Sequence, residues 1–216
     1  MPTIVWVAIG YWVGTIPSPY IVARFAGRKD VIADMRRQDS PGDAHFLVAR
    51  KMSGKLGGLA IVLDILKGFI PALLCRIITH EDPGSMAWLG ISAVAGHCYP
   101  PYFRRSGGRG LTTAAGVSLV IVPKAMVGSG VIALAGTVGK LGGFGTSVGF
   151  ALLPIFAMVF GYNNALVWMS AGIVGLIMIR RLEGLEEDRR EGVPIPRAIL
   201  GRLLFDLPRG KRDHLG

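Results

Sequence analysis

The chain has 216 residues, 51% of them hydrophobic and 18% charged, with a mean hydropathy of +0.48. That composition excludes an ordinary soluble domain and leaves a single membrane-embedded one. The formal net charge is +10, yet the basic residues gather between apolar runs, so they read as topology signals and anionic-ligand contacts, and nucleic acid is not an expected partner.

Residues 3–23 carry no charge, enough to cross a hydrocarbon core of ~30 Å as a helix whose last turns Pro17 and Pro19 bend. This run lacks a basic n-region and reads as a retained helix. Further apolar runs at about 56–78, 85–100, 111–123, 125–139, 146–162 and 165–180 give an all-α polytopic bundle of about seven transmembrane or partly inserted helices. Lys and Arg crowd 24–55, 101–110 and 180–216 but not 79–86 or 161–165, which puts the N-terminus outside and the C-terminus in the cytoplasm. The expected organisation is a membrane domain over 1–181 and a basic cytoplasmic tail over 182–216. In that tail the apolar residues of 199–207 share a helical face, while Arg197, Arg202, Arg209, Lys211 and Arg212 suit anionic lipid headgroups. Gly-Lys-Leu-Gly-Gly occurs at 54–58 and 139–143, but the flanks do not match, so the pentapeptide defines no repeat. Cys75 and Cys98 have no metal-ligand spacing, so neither a disulfide nor a zinc site is expected.

Chemistry concentrates in three places. The loop 96–110 opens with Gly96-His97 and is basic and glycine-rich. Gly107, Gly108 and Gly110 let a backbone approach a ligand with its N–H groups exposed, Arg104, Arg105 and Arg109 supply positive charge for a phosphate, and His97 can change protonation near neutral pH. In the second apolar run Asp64 and Lys67 stand three residues apart, on one helical face. Ionisable groups inside a span are costly and face a cavity or a partner, so the pair reads as a functional site or as a self-neutralising pair that fixes helix packing. The loop 34–45, with Ser40, leads to Arg50, Lys51 and Lys55, adding a hydroxyl and cations on the same side of the membrane.

Taken in order, Gly14-Thr15-Ile16-Pro17 with Ala23-Arg24, Asp34-Met35-Arg36 with Ser40 and Arg50, Asp64-Ile65-Leu66-Lys67-Gly68 with Pro71, and Gly96-His97-x-x-Pro100 with Gly107-Gly108-Arg109-Gly110 and Thr113 form a recognisable series. It resembles the bacterial membrane glycerol-3-phosphate acyltransferase family that uses acyl phosphate as donor, well over about residues 10–120 and beyond that by hydrophobic pattern. The resemblance implies a seven-helix enzyme of the cell membrane that moves an acyl chain from acyl phosphate to glycerol 3-phosphate, giving lysophosphatidic acid without a metal or coenzyme A. By the same resemblance Ser40 and Arg50 bind phosphate, with Arg104 and Arg109 adding charge, and the 107–110 turn holds an anion through its N–H groups. Lys67 and His97 line the pocket, His97, Lys67 and Ser40 are the candidate catalytic set, and Asp64 supports them. An acceptor hydroxyl facing an activated acyl phosphate needs mainly orientation and charge stabilisation.

The chain also departs from the pattern. After the serine the family reads Gly-Asn-x-Gly-Ala-Thr-Asn, where this chain has Pro41-Gly42-Asp43-Ala44-His45-Phe46-Leu47. The family's histidine and asparagine ahead of Ile-x-Arg-Leu are Gly175 and Met178 here, and its glycine-loop lysine is Arg109. These losses leave open a relative with reduced activity, or one that only binds a phosphorylated lipid or polyol phosphate. A CDP-alcohol phosphotransferase would need a cluster of intramembrane aspartates, and a soluble-type acyltransferase an aspartate four residues after a histidine. Neither is present.

Overall fold

Pro17 and Pro19 interrupt the first apolar run as expected: α1 (Thr3–Gly14) and α2 (Ser18–Phe25) meet at a 44° bend. In a continuous helix the N–H reaching the Thr15 carbonyl would belong to residue 19, and proline has none. The Tyr102 hydroxyl donates to that carbonyl instead. The computed structural model describes residues 1–37, 44–102, 107–183 and 185–205. After α2 come α3 (Lys29–Arg37), α4 (Ala44–Lys51), α5 (Gly54–Ile78), α6 (Pro83–Cys98), α7 (Leu111–Ile121) and α8 (Pro123–Val138). They are followed by α9 (Gly142–Ala151), α10 (Leu153–Val159), α11 (Asn164–Leu182), α12 (Leu185–Arg190), α13 (Ile195–Leu200) and a π-helical turn, Gly201–Phe205.

Each apolar run is therefore helical. Among the described residues α5 and α11 are long and apolar enough to cross a membrane alone, and the bent pairs α1–α2 and α9–α10 qualify when each is one span. Without a hydrophobic force between helices in lipid, association depends on close packing of small residues. A Cβ on Gly14 would strike the Ala93 carbonyl oxygen, and one on Gly96 the Tyr11 carbonyl oxygen, so α1 and α6 lie backbone to backbone. Gly68 and Gly116 bring α5 and α7 equally close, against the Thr113 and Ile65 carbonyls. Leu89, Val94, Val117, Met169, Ile173 and Ile177 fill the centre. Val127, Val131, Leu134 and Val138 of α8 face outward, as suits a lipid surface.

A second, smaller core lies at the end of the bundle that carries α3 and α4. Val31 and Met35, one turn apart on α3, pack with Leu47 and Val48 of α4, Val22 and Ala23 of α2, and Ala60 of α5. Gly57 lets α4 settle on α5, because a Cβ there would meet Ala49.

The two copies of Gly-Lys-Leu-Gly-Gly differ in conformation: the first opens α5, the second turns into α9 with Lys140 at φ 61°. In the tail, Arg202 departs from the expected headgroup role. Its guanidinium is buried on Asp188, at 2.5 and 3.0 Å, and on the Glu183 carbonyl at 2.7 Å, since a carboxylate within the fold satisfies it better than the interface would. Arg197 is exposed. Arg209, Lys211 and Arg212 lie outside the described residues.

Candidate active site

Asp64 sits in the interior of α5 with 1% of its surface exposed. A charge there survives only if it is fully partnered. Its Oδ1 accepts from the Ser18 hydroxyl at 2.7 Å and meets Lys67 Nζ at 2.7 Å, while Oδ2 meets His45 Nε2 at 2.6 Å. Each partner has a local cause. Lys67 is one turn further along α5. Ser18 begins α2 just past the proline break, and the docking of α4 on α5 delivers His45. Lys67 also donates to the Ile16 carbonyl, which the same break exposes, at 2.7 Å. Of its three N–H groups one has no partner among the described residues.

His97, near the end of α6, is 6% exposed, and its Nδ1 lies 3.0 Å from the Thr113 hydroxyl and 3.9 Å from Asp64 Oδ1. Thr113 donates its single hydrogen to the Asp64 main-chain carbonyl at 3.2 Å. With its hydrogen so placed, the hydroxyl can accept from His97 Nδ1, and Nε2 is the ring nitrogen turned toward the glycine-rich segment. That nitrogen is covered by Gly108, where a Cβ would collide with it.

The glycine-rich turn is organised differently from the expected anion cradle. The Gly108 N–H donates to the His97 carbonyl at 3.1 Å, so it is not offered to a ligand. Arg180 of α11 clamps the turn from behind, donating to the Gly107 carbonyl at 3.0 Å and the Gly108 carbonyl at 3.3 Å, with its guanidinium 5.2 Å over the Tyr99 ring and paired with Glu183. Gly110, at φ 88°, is the left-handed N-cap residue of α7 and is buried against Cys98, Val94 and Ile177, so its role is conformational.

These groups surround a cavity lined by Thr15 to Tyr20, Ala44, His45, Asp64, Lys67, His97, Pro100, Gly107 and Gly108, with about 420 Å³ of atom-free space including its mouth. Of the residues singled out from sequence, Asp64, Lys67, His97, Gly107 and Gly108 meet there. Arg50 does not: it is exposed on α4, because the buried face of that helix is taken by Leu47 and Val48. Half-buried Arg109 follows the two lining glycines without lining the cavity. Ser40 and Arg104 lie outside the described residues. His45, Ser18 and Arg180 were missed as site residues, although a histidine at the end of a cationic loop and an arginine in an otherwise apolar span were both visible signals.

Residues 4–187 match the family profile described as glycerol-3-phosphate acyltransferase. The glycerol-3-phosphate acyltransferase of Myxococcus xanthus is 31% identical over 189 residues, covering 82% of this chain and 96% of the relative. That of Halorhodospira halophila is 31% identical over 188 residues, covering 86% and 92%. The crystal structure of PlsY (YgiH), an integral membrane glycerol 3-phosphate acyltransferase, in its glycerol 3-phosphate form superposes with a TM-score of 0.74 at 27% identity, covering 99% of this chain and 98% of that one. Its lysophosphatidic acid form gives a TM-score of 0.72. With the profile spanning most of its length, the chain belongs to the glycerol-3-phosphate acyltransferase family.

Proposed function

We propose that this protein is a multi-pass enzyme of the cell membrane that transfers an acyl group from acyl phosphate to glycerol 3-phosphate, giving lysophosphatidic acid. The observation that carries the reading is Lys67, a buried cation with one N–H that no described residue takes, in the wall of a cavity set among apolar helices. Such a wall suits a phosphate at the polar end and an acyl chain along the helices. Arg50, Arg104 and Arg109 supply further charge and Ser40 a hydroxyl for two phosphorylated substrates, Lys67 stabilises the charge that develops as phosphate leaves, and His97 orders the cavity wall behind it. Asp64 holds Lys67 in place.

Purified protein in lipid or detergent, supplied with acyl phosphate and labelled glycerol 3-phosphate, is expected to form labelled lysophosphatidic acid. Glycerol 3-phosphate binding with no product under the same conditions would replace the reading with that of a binding protein, in line with Gly175 and Met178 standing where the family has histidine and asparagine.

A further inference from the structure

We propose that Arg180 is a positioning residue for the phosphorylated acceptor: it locks the peptide between Gly107 and Gly108, so that this turn keeps its carbonyl oxygens out of the cavity. The inference rests on the acyl-transfer reading above for its substrate. Position 180 is the unspecified residue of the family's Ile-x-Arg-Leu, so nothing in that pattern requires an arginine there. In the last turn of the apolar α11 and only 3% exposed, its guanidinium needs partners. It finds them in the turn. Nη2 donates to the Gly107 carbonyl at 3.0 Å and Nε to the Gly108 carbonyl at 3.3 Å, while Nη1 pairs with Glu183.

The peptide joining the two glycines is thereby held on both sides: its carbonyl accepts from Arg180, and its N–H donates to the His97 carbonyl at 3.1 Å. With no Cβ at either residue, little else opposes rotation of that peptide. Gly107 and Gly108 line the cavity whereas Arg180 stands behind them, so both carbonyl oxygens are directed at a cation outside the lining. An oxygen turned inward would set a partial negative charge against the phosphate and would lose its buried donor. The arginine is itself fixed in place. Its guanidinium lies 5.2 Å over the Tyr99 ring, and Arg202 anchors the residue that ends α11 by donating to the Glu183 carbonyl at 2.7 Å. A planar fork serves two carbonyls and a carboxylate at once; a lysine would keep the charge without the fork.

The test compares full-length wild type, Arg180→Met and Arg180→Lys in two readouts. The first is lysophosphatidic acid formation from acyl phosphate and glycerol 3-phosphate. Arg180→Met is expected to raise KM for glycerol 3-phosphate ~10–100-fold with kcat within about threefold of wild type, and Arg180→Lys to fall between the two. The second is amide hydrogen exchange read by mass spectrometry: the peptide spanning 107–110 should exchange faster in Arg180→Met, while α5 and α7 keep wild-type protection. Where Arg180→Met does not fold, Arg180→Lys carries both readouts, with a raised KM and selectively faster exchange of the turn expected. A folded variant with wild-type KM and turn exchange overturns the proposal and spares the acyl-transfer reading, as does a loss confined to kcat. Faster exchange throughout the bundle also overturns it, because Arg180 then only stabilises the fold. A wild type that binds glycerol 3-phosphate without forming product removes the acyl-transfer reading alone, and the same comparison is then read in the Kd for glycerol 3-phosphate.

Discussion

Lys67 and Arg50 are both cations assigned to phosphate, but their surroundings separate what their loss should do. Lys67 neutralises a carboxylate that is 1% exposed, so Lys67→Met leaves Asp64 leaning on His45 and Ser18 alone. Removing one member of a buried pair costs about 3–5 kcal/mol, which thermal unfolding in detergent would show as a clear loss of stability. Arg50 is exposed, and Arg50→Ala should leave unfolding within about 0.5 kcal/mol of wild type. If Arg50 reaches the phosphate of bound substrate, losing a charge-assisted hydrogen bond of about 1.5–3 kcal/mol raises KM for glycerol 3-phosphate roughly 10–100-fold. An unchanged KM would remove Arg50 from the binding set. Sequence reasoning reached Asp64 and Lys67 because a charge within an apolar run must be explained, and their spacing shows that they share a face. It did not connect Ser18 or His45 to Asp64. Their contact with Asp64 depends on a proline break and on α4 docking through Gly57, neither of which has a local signature at the contacting residue.

The helices carry their own tests. At the α1–α6 crossing a methyl group on Gly96 meets the Tyr11 carbonyl oxygen, a backbone atom that cannot swing away. Gly96→Ala should therefore destabilise by about 1–3 kcal/mol, whereas Gly58→Ala, exposed on α5 with nothing near its Cβ, should be neutral or stabilising by up to about 1 kcal/mol. Equal effects on the unfolding midpoint would contradict the close approach of α1 and α6. At the start of α6, Asp82 caps the helix by accepting from the Ser85 N–H at 2.7 Å. That backbone hydrogen bond holds the Asp82 carboxyl below the usual carboxylate range. Because the folded value is depressed, the cap contributes above the unfolded value of ~3.9 and is lost as pH falls through the folded value. Asp82→Ala should cost about 0.5–2 kcal/mol at pH 7, and the difference from wild type should shrink on acidification. A difference that grows toward low pH would refute the cap. The helical positions themselves were legible, since every apolar run is a helix, but breaks inside a run were readable only where proline marked them. Pro17 and Pro19 announced the first bend. The break in the run at 146–162 falls at Leu152, just ahead of Pro154, so proline marks it as well, in a run too short for a straight span.

For the whole chain, orientation in the bilayer follows from where charge and cavity lie together. The 25-residue α5 crosses with Gly54 at one end and Ile78 at the other, so residues flanking it stand on opposite sides. Lys29 of α3, Arg50 and Lys51 of α4 and Lys55 of α5 lie at the first end, where α4 also carries His45. The α5–α6 turn at the second end carries Arg76, paired with Glu81, and no lysine. The positive-inside bias then predicts the α3–α4 end in the cytoplasm and the α5–α6 turn outside. Chemistry demands the same orientation, because a phosphorylated acceptor made inside the cell must reach a cavity whose wall includes Ala44 and His45 of α4. Lys55→Cys should therefore react with a membrane-impermeant maleimide only after the cells are opened, and Glu81→Cys in intact cells. Cys75 and Cys98 are buried and should stay silent in both. Labelling of Lys55→Cys from outside would reverse the orientation and cut the cavity off from substrate on the cytoplasmic side, so one experiment bears on both the topology and the acyl-transfer reading.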